Sequence, residues 1–391
     1  MAIASVSQAC RRDPSRENSA PDAPTLIVVG YSARALASSA RRAGLAPLTI
    51  DVFGDSDTRE ISLATVTLEG GFPDGLTAAA VTPAVEALVC EYNPIGLVYG
   101  SGFEHQPELI DALAQEIRVF GNGAQALARA KDPEAFARIC ASAGVLHPEI
   151  AFSPPGRSGG WLIKRRGWAG GAHVRRALPN VALPANGYFQ REAKGRSVSA
   201  LFVADGAAAS IIGLSAQWTA PAPLSPFRYG GAVGPIDIEP ARAGEIVRAV
   251  GGLVRDLGLL GINSADFVIS DEAAWLIEIN PRPPATLDVF DSDQDPLLAH
   301  HMAACGGRIT SPAARNAFKA AQIVYAESDS LLQSGADWPD WTSDRPMPGA
   351  RVKAGDPLCT VVAAAESVEA TRRLAGRRSG QIHAFVREWA R

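Results

Sequence analysis

Glu278 and Asn280 stand two residues apart in Trp275-Leu276-Ile277-Glu278-Ile279-Asn280, a run with strand character. Residues two apart on a strand project from one face, so their oxygens share a side while Ile277 and Ile279 turn to the other. The run Ala265 to Ser270 precedes it, and folding the pair as a hairpin about Asp271 to Ala273 sets Asp266 opposite Glu278, within one residue of register. Two carboxylates and a carboxamide are hard oxygen ligands, the set magnesium takes when nucleotide phosphates complete its shell. A solvent-facing strand with ordinary polar residues has the same spacing. Arg282, in Asn280-Pro281-Arg282-Pro283-Pro284, favours the first reading, because it puts a planar cation just past the strand, where a transferred phosphoryl group could be clamped.

Lys164 ends the strand-like run Trp161-Leu162-Ile163-Lys164, and Gly167, Gly170 and Gly171 follow at once. Backbone amides of such a loop approach phosphate oxygens closely while the ammonium adds a point charge. The spacing is not that of a P-loop, and a flexible hairpin with solvated charges at Arg165 and Arg166 is the plainer alternative. Gly30-Tyr31-Ser32-Ala33-Arg34 has one glycine where a dinucleotide fingerprint needs three, which argues against a nicotinamide cofactor. Arg34 is a candidate for holding an anionic acceptor group, against the alternative of a surface helix arginine. Tyr99-Gly100-Ser101-Gly102-Phe103-Glu104 is a second loop of the same kind. Gln217-Trp218 and Pro226-Phe227-Arg228-Tyr229-Gly230-Gly231 form a long aromatic and basic connection, read as lining a substrate pocket. The histidines are isolated except His300-His301 and show no metal spacing.

The elements that must position these residues fall into two patterns. Thr25 to Val29, Pro47 to Phe53 and Leu97 to Tyr99 read as strands alternating with helices at Ala33 to Ala43, Pro83 to Glu91 and Pro107 to Glu116, which implies a parallel, doubly wound sheet. A helical stretch from Ala124 to Ala143 carries Lys131. After the turn at Ser153-Pro154-Pro155-Gly156 the strands at 161–164, 188–190, 199–203 and 208–214 read as antiparallel, and Glu245 to Leu257 as an amphipathic helix. Ala321 to Tyr325 and Leu358 to Ala363 read as strands flanking a Pro- and Trp-containing loop.

The chain has 391 residues, enough for two to three domains, and is 47% hydrophobic and 20% charged, a globular composition without continuous membrane-spanning runs. Its 37 Lys and Arg against 41 Asp and Glu give no support to a nucleic-acid-binding surface. Five scattered cysteines suit neither a disulfide framework nor a zinc cluster and point to a reducing compartment. Residues 1–23 lack the apolar stretch of a signal peptide and read as a disordered tail on a cytoplasmic protein.

Taken in order, these segments resemble the ATP-grasp superfamily over residues 25–305. The resemblance implies an α/β and α+β multidomain fold: a Rossmann-like N-terminal domain at 24–122, an ATP-grasp domain with central and C-terminal lobes at 123–305, and a small β-rich C-terminal domain at 306–391. It implies ATP and Mg2+ (or Mn2+) as cofactors. Lys131 and Lys164 would hold the phosphates, with Gly167, Gly170 and Gly171 as a mobile lid. Gln190, Arg191, Glu192 and Ala193 would be the inter-lobe hinge that holds adenine through main-chain groups. Asp266, Glu278 and Asn280 would be the metal ligands, and Arg282 the catalytic arginine that meets the charge on the transferred phosphoryl group. Gln190 and Arg191 stand where the family often has an acidic residue for the ribose, and Ser197 stands near the second such position. The implied activity is a ligase joining a carboxylate to an amine through an acyl phosphate, similar to the tyramine-glutamate ligase type of one-carbon carrier biosynthesis. A purine-pathway carboxylase type and a non-catalytic ATP-binding subunit are the alternatives. Implied partners are small-molecule carboxylate and amine substrates and a second copy in a homodimer, with no nucleic acid and no membrane.

Overall fold

The computed structural model describes residues 23–70, 72, 75–154, 160–178, 181–313 and 317–389. The expected tail, but for its last residue, and the Pro155-Gly156 turn lie outside these.

Thr25–Val29 is buried throughout and pairs in parallel with Ala46–Asp51 on one side and Leu97–Tyr99 on the other, as its unbroken apolar run requires of a strand covered on both faces. Ala64–Thr67 and Val119–Phe120 complete a five-stranded parallel sheet in the order 64–67, 46–51, 25–29, 97–99, 119–120. Strand order reverses between 25–29 and 97–99, and the Gly30 and Gly100 loops that follow these strands stay together: the Tyr31 amide donates to Ser101 O at 3.0 Å, and a Cβ on Gly30 would lie 3.5 Å from the Gly100 backbone.

The expected helix from Ala124 to Ala143 is two helices, Ala124–Lys131 and Pro133–Ser142. Asp132 breaks it. Its backbone is extended, as the residue before proline prefers, and its carboxylate caps the second helix by accepting from the Ala135 amide at 2.8 Å. Lys131 is thereby left on the final turn of the first helix.

Beyond it lies a four-stranded sheet in the order Ile150–Ala151, Gly187–Arg191, Trp161–Arg165, Arg175–Arg176, then an eight-stranded antiparallel one. The larger sheet runs Ala274–Asn280, Leu260–Ile269, Arg196–Asp205, Ala209–Thr219, Tyr229–Gly234, Phe318–Tyr325, Pro357–Ala365, Thr342–Ser343. Helix Pro240–Leu257 covers one face, where Ile246, Leu253 and Leu257 pack with Val198, Phe202, Phe267 and Leu276. Each of those side chains contributes about 1.5–3 kcal/mol by leaving water. Asp266, Glu278, Ser199 and Ser215 lie in one row of cross-strand partners and therefore face the opposite side.

After residue 305, Ser330–Leu331 and Arg351–Val352 pair as a small antiparallel sheet, while the longer strands join the eight-stranded one. Strands 318–325 and 357–365 pair with each other and continue the eight-stranded sheet from 229–234. Val368–Trp389 is a 22-residue helix where the sequence reading has none, because Gly376 and Gly380 interrupt its pattern; buried Ala375 and Ile382 fasten it to the sheet. Cys140, Cys305 and Cys359 are free thiols, whereas Cys90 is disulfide-bonded, a pairing its spacing did not suggest. No helix among the described residues is long and apolar enough to cross a membrane.

Candidate active site

The hairpin 260–280 forms with Asp266 directly opposite Glu278, and a bulge follows Asp266 at Phe267. Asn280 joins them: its Nδ2 donates to Asp266 Oδ2 at 3.0 Å, and its Oδ1 accepts from Lys131 Nζ at 3.0 Å. Lys131 Nζ also lies 3.8 Å from Glu278 Oε2. Lys164, on the neighbouring sheet, is buried and within electrostatic reach of both carboxylates. Burial pulls its ammonium below the usual lysine range, against the opposing pull of Glu278 and Asp266. Burial, with Glu278 beside it, pushes Asp266 up to about 6. Burial alone would raise Glu278 as well, but Lys131 and Lys164 hold it below the ordinary range.

Two half-buried carboxylates facing one another are a pair that a divalent cation would relieve, and the Asn280 oxygen adds a third hard donor. Among the described residues no set of three or more His, Cys, Asp or Glu side chains is arranged to hold a metal ion. The donor set at Asp266, Glu278 and Asn280 therefore fits a magnesium ion completed by phosphate and water oxygens, and not a closed protein cage.

Arg282 is held from the N-terminal sheet. Its Nε donates to Glu104 Oε1 at 2.9 Å, and Glu104 Oε2 accepts from the Gly102 amide at 2.8 Å; both side chains are buried. Burial would raise the Glu104 carboxyl, but Arg282 and Lys131 keep it ionised and below its ordinary range. Asn122 Nδ2 donates to Pro281 O at 2.9 Å, fastening the segment that carries Arg282. Glu104 and Asn122 had no assigned role in the sequence reading, since their partners lie 178 and 159 residues away.

The glycine-rich loop is docked against two segments. A Cβ on Gly167 would come within 2.7 Å of Glu104 O, and one on Gly171 would run into Phe227 O; both glycines have φ of +72°. The Tyr229 amide donates to Gly170 O at 2.9 Å. Trp168 stands edge-on to His105 at 5.3 Å and tilted against His173 at 5.8 Å. The expected substrate-lining connection at 217–231 thus touches the loop, and Gln217 Nε2 donates to Asp266 Oδ1 at 3.4 Å. His173, singled out by no spacing, lies within electrostatic reach of Glu278, and burial pushes its imidazole down to about 3, leaving it neutral.

At the expected hinge, Gln190 is buried and its Nε2 meets His147 Nε2 at 3.3 Å, while His147 Nδ1 donates to Leu276 O at 2.8 Å. The amides of Arg191 and Glu192 are committed to Glu149 O and Gly160 O, at 2.8 and 2.7 Å. The Glu192 carboxylate pairs with Arg176 at 2.9 Å. Main-chain donation at this edge is therefore left to residues from Ala193 onward.

Arg34 departs from expectation. Its guanidinium is bidentate on Asp288 and also donates to both oxygens of Asp344, so it is not free to hold an anionic acceptor.

Residues 149–286 match the family model of the ATP-grasp domain. The chain carries an ATP-grasp domain. Lys131 and the parallel sheet lie outside the matched ATP-grasp segment. No curated protein matches the sequence. Among solved structures, the chain resembles pyruvate carboxylase from Rhizobium etli at TM-score 0.69 and 13% identity, over 91% of this chain and 39% of that one. It resembles L-amino acid ligase from Bacillus licheniformis at 0.66 and 12%, over 92% and 97%. N5-carboxyaminoimidazole synthetase from Staphylococcus aureus follows at 0.64 and 14%, over 93% and 97%. The chain spans 39% of the length of the pyruvate carboxylase and of a single-chain long-chain acyl-CoA carboxylase. At these identities the likeness is one of fold.

Proposed function

We propose that the protein is an ATP- and magnesium-dependent ligase that joins a carboxylate to an amine. The observation that supports this reading best is the convergence of Lys131, Lys164, Asp266, Glu278, Asn280 and Arg282 on one wall, with two half-buried carboxylates in register. In this reading Lys131 and Lys164 bind phosphate oxygens and Arg282 faces the phosphoryl group in flight. Glu104 keeps Arg282 extended and aimed, so little reorganisation is needed at the moment of reaction. A magnesium ion held by Asp266, Glu278 and Asn280 would neutralise phosphate charge. The substrate carboxylate attacks the terminal phosphorus of ATP, releasing ADP; the amine then attacks the acyl carbon and displaces phosphate. The loop 167–171, closed on Glu104 and Phe227, keeps water from the acyl phosphate. No covalent nucleophile is required, since such sites act by positioning and electrostatics.

The test is ADP release by the purified protein with ATP, magnesium and a panel of carboxylates and amines, beside Glu278→Gln. ADP formation that requires one carboxylate and one amine, and is lost in the variant, supports the ligase. Turnover with bicarbonate in place of the organic carboxylate would move the reading to a carboxylase, and absence of ATP binding would overturn both.

A further inference from the structure

A cavity of about 210 Å3 opens where helix Arg34–Arg42, helix Ser56–Ile61, helix Leu287–Phe290, strand Phe318–Tyr325 and the C-terminal segment meet. None of Lys131, Lys164, Asp266, Glu278 or Arg282 lines it. Its volume far exceeds the ~15 Å3 that one water needs and falls short of the ~300 Å3 of pockets for larger ligands. The wall carries Arg34, Arg42 and Lys319 against Asp57, Asp288 and Asp291, so its formal charges cancel.

The partners of these groups are unevenly distributed. Arg34 is spent on Asp288 and Asp344, and Arg42 on Asp291. Asp57 accepts the amides of Asp344 and Arg345, both at 2.9 Å. Lys319 differs from all of them: among the described residues its ammonium has no hydrogen bond or ion pair, although Asp288 and Asp291 lie within electrostatic reach. Burial draws that ammonium below the usual lysine range, with Arg42 and Arg34 acting in the same sense and Asp288 and Asp291 opposing. Ser38 and Ser343 add hydroxyls to the same wall.

A lone anion satisfying Lys319 would leave this neutral, partly buried wall with an uncompensated negative charge; a lone cation would leave Lys319 bare. A small molecule bearing both signs meets both conditions. We propose that the cavity binds a small α-amino acid as its zwitterion, with the carboxylate on Lys319 Nζ and the ammonium between Asp57 and Asp288. The site is built jointly by the parallel-sheet lobe, the helix Leu287–Phe290 with Asp291, and the C-terminal strands, so its occupancy ties the three together. The amino acid is either a reactant passing through this cavity or an effector that reports amino-acid supply. The inference does not rest on the ligase reading, because binding can be read without turnover.

The test is calorimetric titration of the full chain, without nucleotide, against glycine, L-alanine and L-serine, with propionate and propylamine as single-charge analogues. At least one amino acid is expected to bind, at least tenfold more tightly than either analogue, and to weaken at least tenfold in Lys319→Met. Because that variant removes a partly buried side chain, the wild-type protein supplies a second readout: bound amino acid should slow acetylation of Lys319 by acetic anhydride, followed by mass spectrometry, relative to Lys353 and the other lysines, a ratio that reagent consumed by free amino acid does not change. No amino-acid binding, equal binding of propionate, or unaltered Lys319 labelling would overturn the proposal. Where Lys319→Met binds ATP normally, loss of amino-acid-dependent ADP release identifies a reactant site, and loss only of a rate response to added amino acid identifies an effector site; both uphold it.

Discussion

Two buried charge clusters in this protein use the same residue types to opposite ends. At the junction with the C-terminal segment, Arg34 meets Asp288 and Asp344, Ser32 Oγ donates to Asp344 at 2.9 Å, and the Asp57 carboxylate takes two amides. Burial alone would raise Asp344, yet Arg34 holds it below the usual carboxylate range. Each of these groups has its answer inside the protein, and Lys319 on the cavity wall beside them is the exception. On the polar face of the eight-stranded sheet the balance is left open: Asp266 is pushed up to about 6 by burial and by Glu278, and Lys164 is drawn down by burial. The first cluster is a fastening. The second is a site whose missing partners are a cation and an anion, which is what a magnesium nucleotide supplies. Burial and charge do not separate structural ion pairs from functional ones; the completeness of pairing does.

The comparison breaks most visibly at Glu278. Glu278→Gln is expected to lower ADP release by roughly 100-fold or more in initial-rate assays, while its unfolding midpoint falls only slightly, because Lys131 and Lys164 lose the carboxylate they hold ionised but Asp266 loses a like-charge neighbour. Arg34→Met should show the reverse pattern. Stranding Asp288 and Asp344 is expected to cost about 3–5 kcal/mol in urea unfolding, with nucleotide affinity retained in what remains folded. If Arg34→Met is as stable as the wild type, the fastening reading fails.

A third test concerns pH. Burial, with Asp344 and Asp51 nearby, pushes Asp55 up to about 8, far above the ~3.9 of an unfolded aspartate. The native state then holds a proton the unfolded chain has released, so this residue makes stability fall as pH rises from about 4 to about 8. Asp55→Asn should flatten that fall and gain on the wild type at pH 8 relative to pH 5, as read by unfolding at the two values. Gly171→Ala should be milder, because its Cβ meets Phe227 O only when the loop is seated: KM for ATP should rise roughly tenfold with little change in global stability. Arg176→Ala, which removes an exposed partner of Glu192, should change neither measurably.

The chemistry was legible wherever it rests on local spacing. The alternation at 275–280 put Glu278 and Asn280 on one face, the short turn after Ser270 brought Asp266 opposite, and the lysine before three glycines marked a loop built for close backbone approach. Such features depend on covalent geometry and on contacts within about fifteen residues, which a strand period or a turn expresses directly. Asp132-Pro133 was also readable in principle as a helix break, since proline dictates it wherever it stands. The grip of Glu104 on Arg282, the commitment of Arg34, the seating of Gly167 and Gly171 on backbone carbonyls, and the continuation of one sheet from 229–234 into 318–325 were not. Each joins segments many residues apart, and no periodicity encodes which distant carboxylate or carbonyl will stand there. Residue type and local spacing therefore decide which groups are able to do chemistry, while long-range packing decides which of them are paired off within the fold and which are left facing a ligand.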